Sequence, residues 1–167
     1  MALENADQQV LKQLAQWIKQ GHSSWLCTVV KTWGSSPRPV GSLLACNDAG
    51  HLSGSLSGGC IEEDLLERLQ LGEMASAAPE VLIYGVSQAE TERFGLPCGG
   101  QLHVVIEPFK DTAHLEALET MIHRIEQRQC IERRLDIATG DFSLTETERF
   151  RHLHFDGSFS NTSHPGE

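Results

Sequence analysis

Residues 54–63 constrain this chain more than any other stretch of its sequence. They read Gly-Ser-Leu-Ser-Gly-Gly-Cys-Ile-Glu-Glu, so a segment of small residues runs directly into a helical pattern. Apolar side chains then recur at the spacing of a helix with one buried face: Ile61, Leu65, Leu66 and Leu69. Gly72 is a suitable residue to end that helix. The stretch therefore predicts a loop of small residues at a helix N-terminus.

The start of this predicted helix suits an anion, although ordinary helix capping explains the same residues. The residues just before it are Ser57, Gly58 and Gly59. Their backbone N–H groups lack intrahelical acceptors and would point into a loop with few side chains. Cys60 lies on the first turn, where the helix dipole favours a thiolate. Three carboxylates at residues 62–64 already compensate that dipole, so this stretch alone leaves both interpretations open.

Composition limits the class of protein. A chain of 167 residues, 40% of them hydrophobic, is long enough for one domain with a real core. The net charge of −10 argues against nucleic acids and anionic membranes as partners. No apolar run is long enough to span a bilayer, and the N-terminal residues lack the pattern of a signal peptide, so we expect a cytoplasmic protein. The five cysteines include no C-x-x-C pair, which favours reduced thiols over disulfides or a zinc site.

The pattern of apolar residues predicts a single mixed α+β domain with a mostly β core of about five strands. Predicted helices cover residues 10–18, 61–69 and 112–128. Predicted strands cover residues 25–30, 43–46, 51–54, 81–84 and 102–107. The run 81–84 is apolar on both faces, as in a central strand. Pro108 is expected to end the strand at residues 102–107. Strand order stays open.

The C-terminal part is predicted to contain a hairpin followed by a less ordered end. Residues 131–144 have the pattern of two strands with a tight turn at Gly140. We place the domain at residues 1–150 and interpret residues 151–167 as a mobile tail or a truncated linker. His152 and His154 share one face of any extended segment, but such a pair is more often on the surface than at a metal, so no metal site is predicted.

Two further segments rich in small residues contain candidate ligand contacts. Residues 33–41 hold two prolines and two glycines, and Arg38 is stiffened between the prolines. This arginine suits an anionic group, although an ordinary surface arginine explains it as well. The other segment leads into a predicted strand and ends in Cys98, Gly99 and Gly100. The two Gly-Gly segments could face each other across one cleft.

Three motifs in this order resemble the N-terminal part of the XdhC/CoxI family. They are Gly-Ser-Ser-Pro-Arg at 34–38, Gly-Ser-Leu-Ser-Gly-Gly-Cys-Ile-Glu at 54–62 and Gly-Leu-Pro-Cys-Gly-Gly at 95–100. The Ser-Gly-Gly-Cys form is closer to the CoxI side of the family. Its members are accessory proteins for molybdenum hydroxylases such as xanthine dehydrogenase and carbon monoxide dehydrogenase.

The resemblance implies a chaperone for the molybdenum cofactor, in its molybdopterin or dinucleotide form. Such a chaperone guards the cofactor while its sulfido ligand is installed and passes it to the apo molybdenum hydroxylase. It has no turnover of its own, because a cysteine-desulfurase-type sulfurase supplies the sulfur. Self-association into a homo-oligomer is compatible with the sequence. The family's second, Rossmann-like domain has no counterpart after about Phe155, so we expect either a fragment of a longer protein or a short family member.

The cofactor's chemistry suggests a role for each motif residue. Its phosphate or pyrophosphate could sit on the N–H groups of Gly58, Gly59 and Cys60, with Arg38 as counter-charge. Glu62 could accept the adjacent N–H groups of the pterin. Thiolates suit soft centres, so Cys60 or Cys98 could approach the metal or its sulfur. The candidate cofactor-binding set is Arg38, Ser57, Gly58, Gly59, Cys60, Glu62, Cys98, Gly99 and Gly100.

Two other functions compete with a chaperone. In one, the chain is an enzyme in which Cys60 is a nucleophile or carries a persulfide, although only His51 and His103 are close to the Gly-Gly segments in sequence. In the other, the chain is an interaction module that docks on the hydroxylase while another domain holds the ligand.

Overall fold

Three helices and two antiparallel sheets make up the described part of the chain. The computed structural model describes residues 6–33, 40–56, 60–73, 75, 78–85, 101–109, 111–146, 152–155 and 158–163. The helices are α1 (Ala6–Lys19), α2 (Cys60–Gln70) and α3 (Thr112–Glu126). The strands are β1 (Ser24–Trp33), β2 (Leu43–Asn47), β3 (Leu52–Gly54), β4 (Glu80–Tyr84), β5 (Gln101–Phe109), β6 (Ile131–Asp136), β7 (Phe142–Glu146), β8 (His152–Phe155) and β9 (Ser158–Ser163).

The strands form a first sheet of five and a second sheet of four. The first sheet has the order β3-β2-β1-β5-β4, and the second has the order β7-β6-β9-β8. Every neighbouring pair is antiparallel. The predicted mixed α+β fold with a mostly β core is therefore confirmed. No helix within the described residues combines the length and the hydrophobicity that crossing a bilayer requires.

Helix α1 ends just before a glycine with a left-handed backbone conformation. Its apolar stripe is buried at Val10, Leu11, Leu14 and Trp17. Gly21 then adopts a left-handed φ of +87°, which glycine reaches without steric cost. Its N–H donates to the carbonyl of Ile18, and the N–H of His22 donates to the carbonyl of Trp17, both at 3.0 Å. This pair of bonds satisfies carbonyls that the helix leaves open.

The two faces of the first sheet are covered by different elements. Helix α2 covers one face through Ile61, Leu65 and Leu69, which pack on side chains such as Cys27 and Ile106. Helices α1 and α3 and strand β6 cover the other face. Each of the three α2 side chains is at most 2% exposed, and complete burial of such a side chain stabilises a fold by about 1.5–3 kcal/mol. Apolar packing thus fixes α2 against the sheet.

Two predictions about the strands are wrong. Strand β4 was expected at the centre of a sheet, but it lies at an edge, and Val81 and Ile83 are 37% and 39% exposed. Only its other face, with Leu82 and Tyr84, packs on the core. Pro108 does not end β5, which continues to Phe109. Strand β4 pairs with β5 only as far as Ile106, so the outer side of β5 has no described strand partner beside the proline and tolerates its missing N–H.

The C-terminal part contains more structure than its sequence indicates. Strands β6 and β7 form the predicted hairpin, with Gly140 in its turn at a φ of +81°. Residues 151–167, interpreted from the sequence as a tail or linker, include strands β8 and β9. Strand β9 pairs with β6 along its length, from Ser163 opposite Ile131 to Ser158 opposite Asp136. The sequence of β9, Ser-Phe-Ser-Asn-Thr-Ser, is largely polar, so apolar alternation gives little sign of this strand.

A buried ion pair joins the two sheets. Glu107 on β5 and Arg133 on β6 are 2% and 3% exposed. The guanidinium donates two parallel hydrogen bonds to the carboxylate, and the bond from Nη1 to Oε1 has a length of 2.9 Å. It also lies over the rings of Phe109 and Phe142, 5.4 Å and 5.7 Å from their centroids. Each charge therefore depends on its partner for solvation in this interior.

We predict that Arg133→Met strongly destabilises the fold, because it leaves the carboxylate of Glu107 buried without its cation. The expected loss in free energy of unfolding is about 3–5 kcal/mol, measured by urea denaturation. Arg134→Met is the matched control. Its side chain is 71% exposed and pairs with Glu132, so its loss should cost less than about 1 kcal/mol. Equal losses for the two variants would contradict this role for the buried pair.

Candidate functional site

The three motifs adjoin one end of the first sheet. Strands β1 and β4 both pair antiparallel with β5, and β1 and β3 both pair antiparallel with β2. Strands β1, β3 and β4 therefore run in the same direction and end at the same side, where β5 begins. The chain leaves β1 into the first motif, leaves β3 into the second and enters β5 from the third. We call this side the motif end.

The strand register brings the flanks of two motifs next to each other. Trp33, the last residue of β1, pairs with Gln101, the first residue of β5. The first motif begins at the residue after Trp33, and the third ends at the residue before Gln101. Two segments that are about sixty residues apart in sequence thus start from adjacent backbone positions. The sequence motifs alone do not give this adjacency, because it depends on strand order.

Most of the predicted ligand contacts lie outside the described residues. These are Arg38, Ser57, Gly58, Gly59, Cys98, Gly99 and Gly100. Cys60 is the first residue of α2 and Glu62 is the third, so both are on its first turn. The predicted helix N-terminus at Cys60 is therefore confirmed. The predicted cleft between the Gly-Gly segments stays a prediction.

Gly54, the first residue of the second motif, occupies a backbone position that only glycine fits. Its φ is +93°, and a Cβ there would lie 2.3 Å from the carbonyl oxygen of Leu43 and 2.8 Å from Cγ2 of Val10. The N–H of Ser55 then donates to the same Leu43 carbonyl at 3.3 Å. Leu56 follows and is fully buried in the core under α2. This tight exit from β3 directs the chain toward the start of α2.

The acidic residues of α2 have three different environments. Glu62 is 7% exposed, and the hydroxyl of Ser55 donates to its Oε2 at a distance of 3.5 Å. Glu63 is exposed to solvent. Asp64 accepts two bonds at the same oxygen, Oδ2, from the hydroxyl of Tyr84 at 2.9 Å and from Nε of Arg68 at 3.0 Å. Of these three consecutive residues, only Glu63 is an ordinary exposed helix charge.

Sequence reasoning missed the contact between Asp64 and Tyr84. The spacing of Asp64 and Arg68, four residues apart on a helix, does indicate an ion pair. Tyr84 is the last residue of β4 and the sole tyrosine of the chain, and it is 1% exposed. Burial, together with the hydrogen bond to Asp64, raises the pKa of Tyr84 well above its ordinary value. The phenol therefore remains a protonated donor at neutral pH.

Two of the cysteines belong to the core and not to the motif end. Cys27 and Cys46 lie on adjacent strands, are fully buried and carry free thiols. A hydrogen bond with Cys46, and then burial, raises the pKa of Cys27, so its thiol stays neutral. Both cysteines pack in the core on the α2 side of the first sheet. Within the described residues, no group of three or more His, Cys, Asp or Glu side chains is placed to hold a metal ion.

The two histidines considered as helpers for Cys60 lie at opposite ends of the first sheet. His103, near the start of β5, pairs with Ile83 and is at the motif end. Burial, and then the charge of Lys31, lowers its pKa, so its imidazole is neutral at pH 7. His51 follows the turn between β2 and β3 at the other end, where its ring stacks on Trp17. Of these two histidines, His103 is the one placed near the motifs.

A cavity of about 550 Å³ lies at the end of the first sheet away from the motifs. It is bounded by the start of β4, the end of β5, the first turn of α3 and the turn between β6 and β7. Its polar lining includes Asp111, Thr139 and Asp141. Asp111 is already the N-cap of α3 and accepts from the N–H of His114 at 2.9 Å. No sequence motif contributes to this cavity.

The chain matches a known family over its first half. Residues 17–85 match the model described as the XdhC and CoxI family. The matched part is about two fifths of the chain. The matched residues include the first and second motifs and end before the third. The family resemblance found in the motifs is therefore confirmed.

Two curated relatives are similar over longer segments. The molybdenum cofactor insertion chaperone PaoD of Escherichia coli strain K12 is 27% identical over 128 residues, which are 76% of this chain and 38% of that protein. A protein of Bacillus subtilis strain 168, named as a probable xanthine dehydrogenase subunit, is 29% identical over 103 residues, which are 59% of this chain and 31% of that protein. The chain thus spans about a third of the length of these relatives.

A solved structure has the same fold. It is described as a xanthine dehydrogenase from Bacillus halodurans and superposes with a TM-score of 0.71 at 21% identity. The superposition covers 96% of this chain and 53% of that one. At this identity the likeness shows the fold alone.

We predict that Gly54→Ala destabilises the protein far more than Gly72→Ala. Both glycines have a positive φ, but a Cβ at Gly72 would meet no atom within 4 Å, so only the conformational cost of about 1–2 kcal/mol applies there. At Gly54 the Cβ also meets a backbone carbonyl that cannot rotate away, and the expected loss is about 3 kcal/mol or more. Thermal and urea unfolding measure both losses. Similar values would show that β3 leaves the sheet by a looser path.

Proposed function

We propose that this chain binds the molybdenum cofactor at the motif end and assists its insertion into an apo molybdenum hydroxylase of the xanthine dehydrogenase type. The observation that carries the proposal is the convergence of the three motif-bearing segments on one end of the first sheet, next to the start of α2. The name of the relative PaoD, a molybdenum cofactor insertion chaperone, supports the same cargo.

The start of α2 suits the phosphate of the cofactor. The N–H groups of Gly58, Gly59 and Cys60 precede or begin the helix, and helix N-termini favour anions through unpaired N–H groups and the macrodipole. Arg38 supplies the counter-charge in this proposal, because a guanidinium can bind phosphate through two parallel hydrogen bonds. The same residues can accept either a single phosphate or the pyrophosphate of a dinucleotide form.

Glu62 is the proposed contact for the pterin. Its carboxylate is nearly buried, and Ser55 donates to one of its oxygens, so its direction is constrained before any ligand arrives. An ionised carboxylate has about four acceptor sites and can accept a pair of parallel N–H donors such as those of a pterin. Glu63, one residue on, is exposed on another side of the helix and is not assigned to the ligand.

Cys60 and Cys98 are the proposed contacts for the metal or its sulfur. Thiolates are soft ligands and suit molybdenum–sulfur centres. The first position of α2 lowers the free energy of a thiolate through the helix dipole. The described core thiols, Cys27 and Cys46, are shielded from any such contact by complete burial.

The proposed partners follow from the proposed cargo. The apo hydroxylase receives the cofactor, and a cysteine-desulfurase-type sulfurase installs the sulfido ligand while this chain protects it. A hydroxylase of the carbon monoxide dehydrogenase type is a second candidate recipient, since the Ser-Gly-Gly-Cys form resembles CoxI. The chain itself performs no turnover in this proposal.

We expect the full chain to co-elute with molybdenum cofactor released anaerobically from a molybdenum enzyme. Glu62→Gln should weaken retention about tenfold, because the neutral amide offers one acceptor oxygen in place of two charged ones. Glu63→Gln, on the same turn and exposed, should bind as the unchanged protein does. Molybdenum and pterin in the eluted protein are quantified by mass spectrometry and pterin fluorescence.

Three results would count against this function. Equal retention by Glu62→Gln and Glu63→Gln would remove the pterin contact. A protein that binds the hydroxylase but retains no cofactor would favour the interaction module. A persulfide on Cys60 that turns over without cofactor would favour the enzyme.

We expect Cys60→Ser to reduce hydroxylase activation by at least about tenfold, because a hydroxyl at this position is a poor ligand for molybdenum or its sulfur. The measurement is the activity recovered by apo-hydroxylase after incubation with cofactor-loaded protein. Cys130→Ser, a change at a half-buried cysteine just before β6, is the matched control and should activate fully. Full activation by both variants would show that the Cys60 thiol has no role in transfer.

A further inference from the structure

The buried hydroxyl of Tyr84 connects two of the motif-bearing segments. Tyr84 ends β4, from which the chain proceeds toward the third motif, and Asp64 is on α2, which begins with the second motif. The hydroxyl donates to Oδ2 of Asp64 at 2.9 Å, and Arg68 holds the same oxygen at 3.0 Å. The tyrosine is 1% exposed and packs in the core under α2. The tyrosine side of the contact is therefore buried, while the Asp64 side chain is about 10% exposed.

Directional contacts matter here because most of the packing of α2 on the sheet is apolar. Ile61, Leu65 and Leu69 hold the helix against the sheet, but hydrophobic burial is non-directional and resists rotation or sliding only weakly. A hydrogen bond weakens steeply as its angle and length depart from the optimum. The bond between Tyr84 and Asp64 therefore fixes the axial position and rotation of α2 relative to β4.

Helix geometry transmits this constraint to the start of α2. Cys60 is four residues before Asp64, so the two positions lie on the same side of the helix, one turn apart. An α-helix is stiff over a single turn, because each residue is fixed by backbone hydrogen bonds. Fixing Asp64 against Tyr84 therefore also fixes the backbone of Cys60 relative to the end of β4.

We propose that Tyr84 is a positioning residue for cofactor binding, which acts through Asp64 to hold the N-terminus of α2 in place relative to the end of β4. This inference rests on the proposed function, because it assigns the residue to the same site. Tyr84 does not touch the cofactor. Its removal changes the location of the groups that do.

The test uses Tyr84→Phe in the full chain, with hydrogen exchange and cofactor binding as separate readouts. Phenylalanine keeps the ring and its packing and removes only the hydroxyl. Amides of α2 (Cys60–Gln70) should exchange about tenfold faster, and the dissociation constant for molybdenum cofactor should rise about tenfold. Asp64→Asn keeps an acceptor for the tyrosine and should stay within about threefold of the unchanged protein in both readouts.

Ile125→Val is the control for a general loss of stability. It removes one methylene from α3, in the part of the core on the other face of the first sheet, at a cost of about 1 kcal/mol. This variant should leave both exchange in α2 and cofactor affinity unchanged. If Tyr84 acted only through overall stability, Tyr84→Phe and Ile125→Val would bind the cofactor equally well once they were compared at equal free energy of unfolding.

The outcomes separate this inference from the proposed function. Unchanged exchange in α2 of Tyr84→Phe overturns the positioning role, whatever the cofactor does. Faster exchange with unchanged affinity also overturns it, since the helix start then has no bearing on binding. Failure of the unchanged protein to retain cofactor overturns the proposed function, and the exchange experiment still decides whether Tyr84 positions α2.

Discussion

The pairing of β1 with β5 is the interaction on which the candidate site depends. These strands are distant in sequence, and their register places Trp33 opposite Gln101. Both flank motifs, so the backbone ladder at the centre of the first sheet sets the distance between the residues that flank the first and third motifs. Strands β4 and β3 end at the same side, and α2 starts there. Antiparallel topology thus brings together the segments that lead into or out of three motifs, each of which is a weak signal separately.

Two polar contacts between distant elements add specificity to a fold held mainly by apolar packing. Glu107 and Arg133 join the two sheets, and Tyr84 and Asp64 join α2 to β4. Each links elements that a core of aliphatic side chains would hold in several similar arrangements. The first pair is far from the motifs and sets the position of the second sheet. The second pair lies near the motifs and sets the start of α2.

Local patterns predicted the elements that depend on neighbouring residues. Helix α1, the strands β2 and β3 and the start of α2 at Cys60 all follow from short-range patterns. Contacts between distant residues were not predictable in this way. The sequence of β4 is apolar on both faces, which is typical of a central strand. Strand order places β4 at an edge instead, where Val81 and Ile83 are exposed. Strand β9 has too few apolar residues to reveal its pairing with β6.

Anomalous diffraction at the molybdenum edge, from crystals of the full chain with bound cofactor, tests the central claim most directly. The claim predicts one molybdenum peak at the motif end, beside the first turn of α2 and the start of β5. A peak at the opposite end of the first sheet, in the cavity lined by Asp111, Thr139 and Asp141, would contradict it.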